Sequence, residues 1–280
     1  MYISSGNYWP IRPEPPVGDS TFRVLKFADM EWGARLNALP LERRDIHFDP
    51  RILAPYLKAY GWELGLAVTG DAYDLKKDFI IQPVLVTKEG QLRHGFNFGG
   101  PISNNPCSLG NIHRQQLYEW ANRRGVTNEY CTLNPFLWSE QIDHLKDNTT
   151  VQYVKESVAI KLSNIKPRGT TRRLATQAKN AGVIINSYHI YQNLHHFINL
   201  YEQTMARKQA ADHWKFGASW FEHFAKFIYP HLLLAHHEGK VVAACLVAYK
   251  PIYQTAYYHF AASADNRPPG VNHMMVLAAA

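Results

Sequence analysis

The sequence predicts a mixed α/β protein in two consecutive halves, each setting a short strand meander between helices. Three observations carry that expectation. Apolar or alternating runs bounded by turn signals recur at 63–69, 79–87, 232–236 and 241–249. Stretches with apolar residues at helical spacing lie between and around them. The length of 280 residues falls where one hydrophobic core usually gives way to two.

In the first half, residues 50–61 (PRILAPYLKAYG) place Ile52, Leu53, Tyr56, Leu57 and Tyr60 on one helical face, with Asp49 as cap, Gly61 as stop and Pro55 interrupting the pattern. Strands follow at 63–69 and 79–87. The second is closed by the Glu89-Gly90 turn and leads into a third at 91–98. After Gly99-Gly100-Pro101 and a polar loop come a helix over 112–124, ended by Gly125, and a strand at 129–133.

The second half opens with a strand at 157–162 and a helix over 171–181 that Thr170 or Thr171 can cap and Gly182 can end. A strand at 183–188 precedes a longer helix with Leu194, Phe197, Ile198, Tyr201 and Met205 on one face. A hairpin of 232–236 and 241–249 turns at Glu238-Gly239, a third strand spans 254–262, and a last helix opens near Asn272. The expected division is a proline-rich extended arm at 1–20, a first domain at 21–150 and a second at 151–280. That last helix has barely begun at Ala280, so the second domain is expected to be incomplete.

Composition narrows the function. Cys107, Cys131 and Cys245 are odd in number and widely spaced, which excludes a disulfide framework, lacks the pairing of a zinc site and points to a reducing cytoplasm. The N-terminus has neither a basic start with an apolar stretch nor a cleavage site, and no apolar run approaches the roughly 20 residues needed to cross a bilayer. A net charge of +7 and a pI near 9.2 suit an anionic partner: nucleic acid, a phosphorylated cofactor, or a membrane surface met peripherally. The basic residues come in pairs (Arg43-Arg44, Arg123-Arg124, Arg172-Arg173) rather than as a run, and DNA is not among the expected partners.

Signatures of dinucleotide binding, P-loop ATPases, zinc proteases and nucleophile elbows are absent. Ser163 and Lys166 match S-x-x-K without its companion segments. The pairs His195-His196 and His236-His237 point about 100° apart on a helix or to opposite faces of a strand, so neither chelates one ion and no metal is expected. Arg267-Pro268-Pro269-Gly270-Val271-Asn272 is more informative. A glycine just before a helix aims backbone N–H groups, at the positive end of the helix dipole, toward a phosphate; the bland alternative is a turn with Asn272 as cap. Arg207 lies two residues past the last apolar position of its helix, about 200° round from the core, where its guanidinium should reach solvent.

Several segments carry a resemblance. Arg172-Arg173 through Gly182-Val183 forms a basic helix followed by a glycine and a strand. Thr204 to Arg207 reads T-x-x-R and is followed by Asp212 to Phe216 with aromatics; Asn97-Phe98-Gly99-Gly100-Pro101 is an aromatic, glycine-rich loop; and Tyr257 to Ala262 is an aromatic strand. In order and spacing these resemble the Fem family of aminoacyl and acyl transferases, and Arg267 to Val271 resembles the GNAT pattern Gln/Arg-x-x-Gly-x-Gly/Ala, departing from it at Asn272. Thr176 stands where the family has a basic residue.

The resemblance, which runs from about residue 48 onward, implies two tandem GNAT-like half-domains. It also implies transfer of an acyl group from acyl-CoA or aminoacyl-tRNA onto an amine of a cell-wall or polysaccharide precursor, with tRNA as a partner and no metal. Arg207 would bind phosphate or carboxylate of the acceptor, Trp214 and Phe216 would wall the channel, Tyr258 would line the cleft, and Gly99 and Gly100 would border the substrate. Arg267, Gly270 and Asn272 would hold the donor, and His259 and Asp212 are candidates for proton handling. The rival expectation is a non-catalytic RNA-binding or carrier protein using the same basic surface, but the aromatics sit at core-period positions rather than among Lys and Arg.

Overall fold

The computed structural model describes residues 2–4, 21–95, 98–105, 109–137, 141, 150–152 and 159–280. Most of the proline-rich stretch, Asn97, Cys107 and the start of the strand expected at 157–162 lie outside them. The chain divides into two compact units, Met1–Ser157 and Val158–Ala280.

The first unit holds strands β1 (Tyr2–Ser4), β2 (Thr21–Lys26), β3 (Glu63–Gly70), β4 (Phe79–Val86), β5 (Gln91–Arg93), β6 (Ile102–Ser103), β7 (Asn128–Thr132) and β8 (Thr150–Gln152). Its helices are α1 (Met30–Ala38), α2 (Pro50–Pro55) and α3 (Gly110–Arg123). The sheet runs β2-β3-β4-β5-β7-β1-β8 with β6 beside β4; β5 and β7 pair in parallel and the other pairs are antiparallel. The expected meander is the β3-β4-β5 run, and α3 covers one face of it, where Leu117 and Ala121 pack with Ala67, Val84, Leu92 and Val126. Asp49 caps α2 through the Arg51 amide, and the chain continues past Pro55 as a π-helical turn that stops at Gly61 with φ +67°.

Three corrections concern this unit. Residues 2–4, expected in an extended arm, form β1, with Ile3 opposite both Cys131 and Val151. So short a run has no periodicity of its own, and its partners supply the pairing. The segment at 21–38, for which no element was expected, yields a strand and a helix that Asp29 caps by accepting from the Glu31 amide. The strand expected at 91–98 ends at Arg93.

The second unit holds α4 (Gly169–Asn180), β9 (Ile184–Tyr188), α5 (Ile190–Arg207), α6 (Ala218–Ile228), β10 (His231–His237), β11 (Lys240–Lys250), β12 (Thr255–Ser263) and α7 (Val271–Ala279). Its sheet is antiparallel throughout in the order β12-β11-β10-β9. Alternation along the strands sorts the core: Leu233, Ala235, Ala243 and Cys245 pack with Ala178 of α4 and Val271 and Met275 of α7. Phe260 meets Phe197 and Tyr201 of α5 and Trp220, Phe221 and Phe224 of α6, all at centroid distances of 5.3–6.5 Å. The hairpin turns at Glu238 and Gly239, both at positive φ, which is the twist a tight two-residue connection requires.

No strand forms over residues 159–161; a 3-10 turn spans Leu162–Asn164, and Ile160 and Leu162 are exposed, so the apolar run has no face to bury. Helix α4 begins earlier than expected, with Arg168 at the cap and Thr170 and Thr171 inside the first turn. Helix α7 is capped by Gly270, which places Asn272 inside the helix rather than at its cap.

Candidate functional site

The end of β12 gathers several of the sequence candidates. The T-x-x-R segment at the C-terminal end of α5 is a clamp on Ser263: Thr204 Oγ1 donates to the Ser263 carbonyl at 3.2 Å and accepts from its amide at 3.1 Å. Arg207 is not the free surface guanidinium its helical position predicts. It reaches past the helix end, donates through Nη2 to the same carbonyl at 3.0 Å, and lies 3.8 Å from the Asp265 carboxylate. It remains exposed, and most of its N–H donors make no hydrogen bond among the described residues. Arg267 donates to the Ala264 carbonyl at 2.8 Å and so braces the turn that leads to α7.

Gly270 has φ +84°, and a Cβ there would lie 1.9 Å from the carbonyl oxygen of Leu174 in α4. Only glycine lets the two helices approach so closely at that backbone angle. The amides of the first turn of α7, Asn272 among them, have no partner within the helix by the geometry of helix ends.

Strand β12 is an edge of its sheet and carries a bulge. Leu246 stands opposite Phe260 and Val247 opposite Tyr258, so His259 is the extra residue. Its ring stacks on Phe224 at 5.4 Å and 11° and is 8% exposed, which places this proton-handling candidate in the aromatic core. Tyr258 faces the other way, 39% exposed, and hydrogen-bonds the Cys245 thiol. Burial pushes that thiol up to about 12 and raises the Tyr258 phenol too, so both stay protonated at neutral pH.

The remaining candidates are dispersed. Lys215, 2.7 Å from Asp212, holds that carboxyl below its ordinary range, which makes this exposed residue a weaker base than expected. Phe216 is 6% exposed and packs on Trp220 and Phe260, a core position rather than a channel wall. Trp214 is partly exposed and its carbonyl accepts from the Tyr201 hydroxyl. Gly99 and Gly100 belong to the first unit, where Gly99 bonds Thr132 and Gln141 and a Cβ on Gly100 would meet Leu133 and Gln141 at 2.9 and 3.0 Å. Close packing therefore accounts for both glycines.

Two buried polar networks of the first unit were missed by sequence reasoning. Glu129 accepts from Arg114 at 2.8 Å, from His94 at 2.9 Å and from Gln82 at 2.8 Å. Burial alone would raise its carboxyl, but Arg114 and then His94 outweigh that and hold it down at about 2. The Asp45 carboxylate meets His47 Nδ1 at 2.6 Å and accepts from Asn134 at 2.9 Å. The one sequence signal was a glutamate at an inward position of the alternating strand β7. Among the described residues no three His, Cys, Asp or Glu side chains are grouped to hold a metal ion, and no helix is long and apolar enough to cross a membrane.

No protein-family model matches this sequence, and no curated protein matches it. Solved structures do. FemX matches with a TM-score of 0.54 at 12% identity over 91% of this chain and 84% of that one. The C-terminal domain (DUF2156) of a protein named as a lysylphosphatidylglycerol synthetase, from Agrobacterium fabrum, matches with a TM-score of 0.53 at 12% identity over 89% and 73%. The mixed α/β fold with two sheets flanked by helices is thus a FemX-like fold, and at this identity the likeness is one of fold.

Proposed function

We propose that the protein is an acyltransferase that moves an acyl group from acyl-CoA or aminoacyl-tRNA to an amine of a cell-wall or polysaccharide precursor, in the cytoplasm. The observation that carries this is the bulged strand β12, whose end leads through the turn at Arg267 and Gly270 into the N-terminus of α7. The first-turn amides of α7, at the positive end of its dipole, suit the phosphates of a donor.

The chemistry asks little of side chains. The amine nitrogen attacks the donor carbonyl carbon, the C–S or C–O bond breaks, and the proton lost by the amine balances the one the leaving thiol or hydroxyl takes up. Alignment and polarisation of the carbonyl supply most of the acceleration. Arg207 is suited to bind an anionic acceptor through the donors it does not spend on Ser263, and Tyr258 lines the same strand with its phenol held neutral. Buried, protonated Cys245 is no nucleophile.

Calorimetric titration of the whole chain with CoA, acetyl-CoA and charged tRNA tests the donor site; absence of sub-millimolar binding by all of them would sink it. In a transfer assay, Arg207→Ala and Arg207→Lys should each lose acceptor affinity by about 1.5–3 kcal/mol while leaving donor affinity unchanged. Wild-type acceptor affinity in both folded variants would reduce Arg207 to its clamp on Ser263.

A further inference from the structure

Between residues 157 and 201 the chain has no aspartate or glutamate. The described part of this stretch exposes Lys161, Lys166, Arg168, Arg172, Arg173 and Lys179. No carboxylate forms an ion pair with any of these among the described residues, and the one side-chain bond recorded for them runs from Arg172 Nε to the Pro167 carbonyl at 3.0 Å. Helix α7, which packs against α4, brings no acid to this surface either. The positive charge gathered here is therefore not neutralised within the unit.

The loop that leads into α4 also carries exposed aliphatic side chains. Ile160 and Leu162, 55% and 56% exposed, flank Lys161, and residues 159–182 contain no aromatic side chain. These details separate two anionic partners. A single-stranded RNA surface interleaves cations with aromatic rings on which bases stack, and none is present. A lipid surface is met by cations that pair with headgroup phosphates together with aliphatic side chains that enter the headgroup boundary, because either signal alone holds weakly.

We propose that the loop at 159–168 and the exposed face of α4 form a docking surface for an anionic phospholipid bilayer. The cations lie against the headgroups, and Ile160 and Leu162 insert beside them. The contact is interfacial, and it stands independently of the acyl-transfer chemistry.

The test is flotation of the full chain with vesicles of phosphatidylcholine alone and of phosphatidylcholine mixed with phosphatidylglycerol. Wild type should float only with the anionic vesicles and should be released as salt is raised. A charge variant (Arg168→Gln, Arg172→Gln, Arg173→Gln) and an aliphatic variant (Ile160→Ser, Leu162→Ser) should each partition roughly tenfold or more weakly. Among the described residues only Arg172 of these five positions makes a side-chain bond, and matching thermal melts would verify the fold. A charge-matched control in the other unit (Lys58→Gln, Lys88→Gln, Arg123→Gln) should float as wild type does. Failure of wild type to float, equal flotation with both vesicle types, or an equal loss in the control would overturn the proposal. So would full flotation of the aliphatic variant, or binding of tRNA by these cations without binding of vesicles.

Discussion

Glu129 shows how much a single side chain can hold. It is a carboxylate 4% exposed in strand β7, and it sets the positions of Arg114 and His94 and, through Gln82, reaches His113 at 3.3 Å. Replacing it by glutamine preserves volume but leaves the Arg114 guanidinium, whose Nε and Nη2 make no hydrogen bond among the described residues, without the carboxylate that neutralises it. Glu129→Gln should therefore cost about 3–5 kcal/mol, read as a fall in the urea midpoint. A cost below about 1 kcal/mol would mean the network relaxes or admits water and the ion pair matters little. Gly270 is the second residue of this kind, fixed by the approach of the Leu174 carbonyl and by its left-handed backbone rather than by any ligand.

At the scale of elements, the fit of helix α5 to strand β12 decides the geometry of the candidate site. The stripe of Leu194, Phe197 and Tyr201 supplies the apolar contact, while Thr204 fixes the register by exchanging two hydrogen bonds with Ser263. Thr204→Val keeps the shape and removes both bonds, and should destabilise the protein by about 1–3 kcal/mol; Thr204→Ser should recover most of that. Equal stability of the valine and serine variants in thermal melts would show that packing alone docks the helix. The same clamp explains why Arg207, one turn on, bends toward β12 instead of into solvent.

Across the whole molecule the two units differ in how they hold carboxylates. Glu129 has a folded-state value of about 2 against an ordinary 4.5. A depressed carboxyl stabilises the folded state above its unfolded value and loses that contribution as pH falls through the folded one. The loss should thus begin near 4.5 and be complete a little below 2. In the second unit the one carboxyl shifted downward among the described residues is Asp212, which is exposed. Hydrogen exchange followed down this range should show amides of β4, β5 and β7 losing protection before those of β10 and β11. Simultaneous loss in both units would show a single cooperative transition instead.

The β10-β11 hairpin, the stripe of α5, the cap at Asp49 and the stops at Gly61 and Gly182 were legible because each is written in neighbouring residues, as periodicity, turn chemistry or a required positive φ. The basic pair Arg172-Arg173 and the glycine before the last helix were legible in the same way, and so was the Fem-like order of segments. Tertiary structure decided the rest. The pairing of β1 with β7 and β8 and the parallel β5-β7 contact join segments that no local pattern links. The bulge that turns His259 into the aromatic core depends on the register of β11. The turn of Arg207 onto Ser263 and the meeting of Glu129, Arg114 and His94 depend on which backbones stand opposite one another. A side chain's direction along an element follows from its own dihedrals, but its partner is chosen by the packing of elements far apart in the chain, and hydrogen bonds and charges are satisfied only after that packing exists.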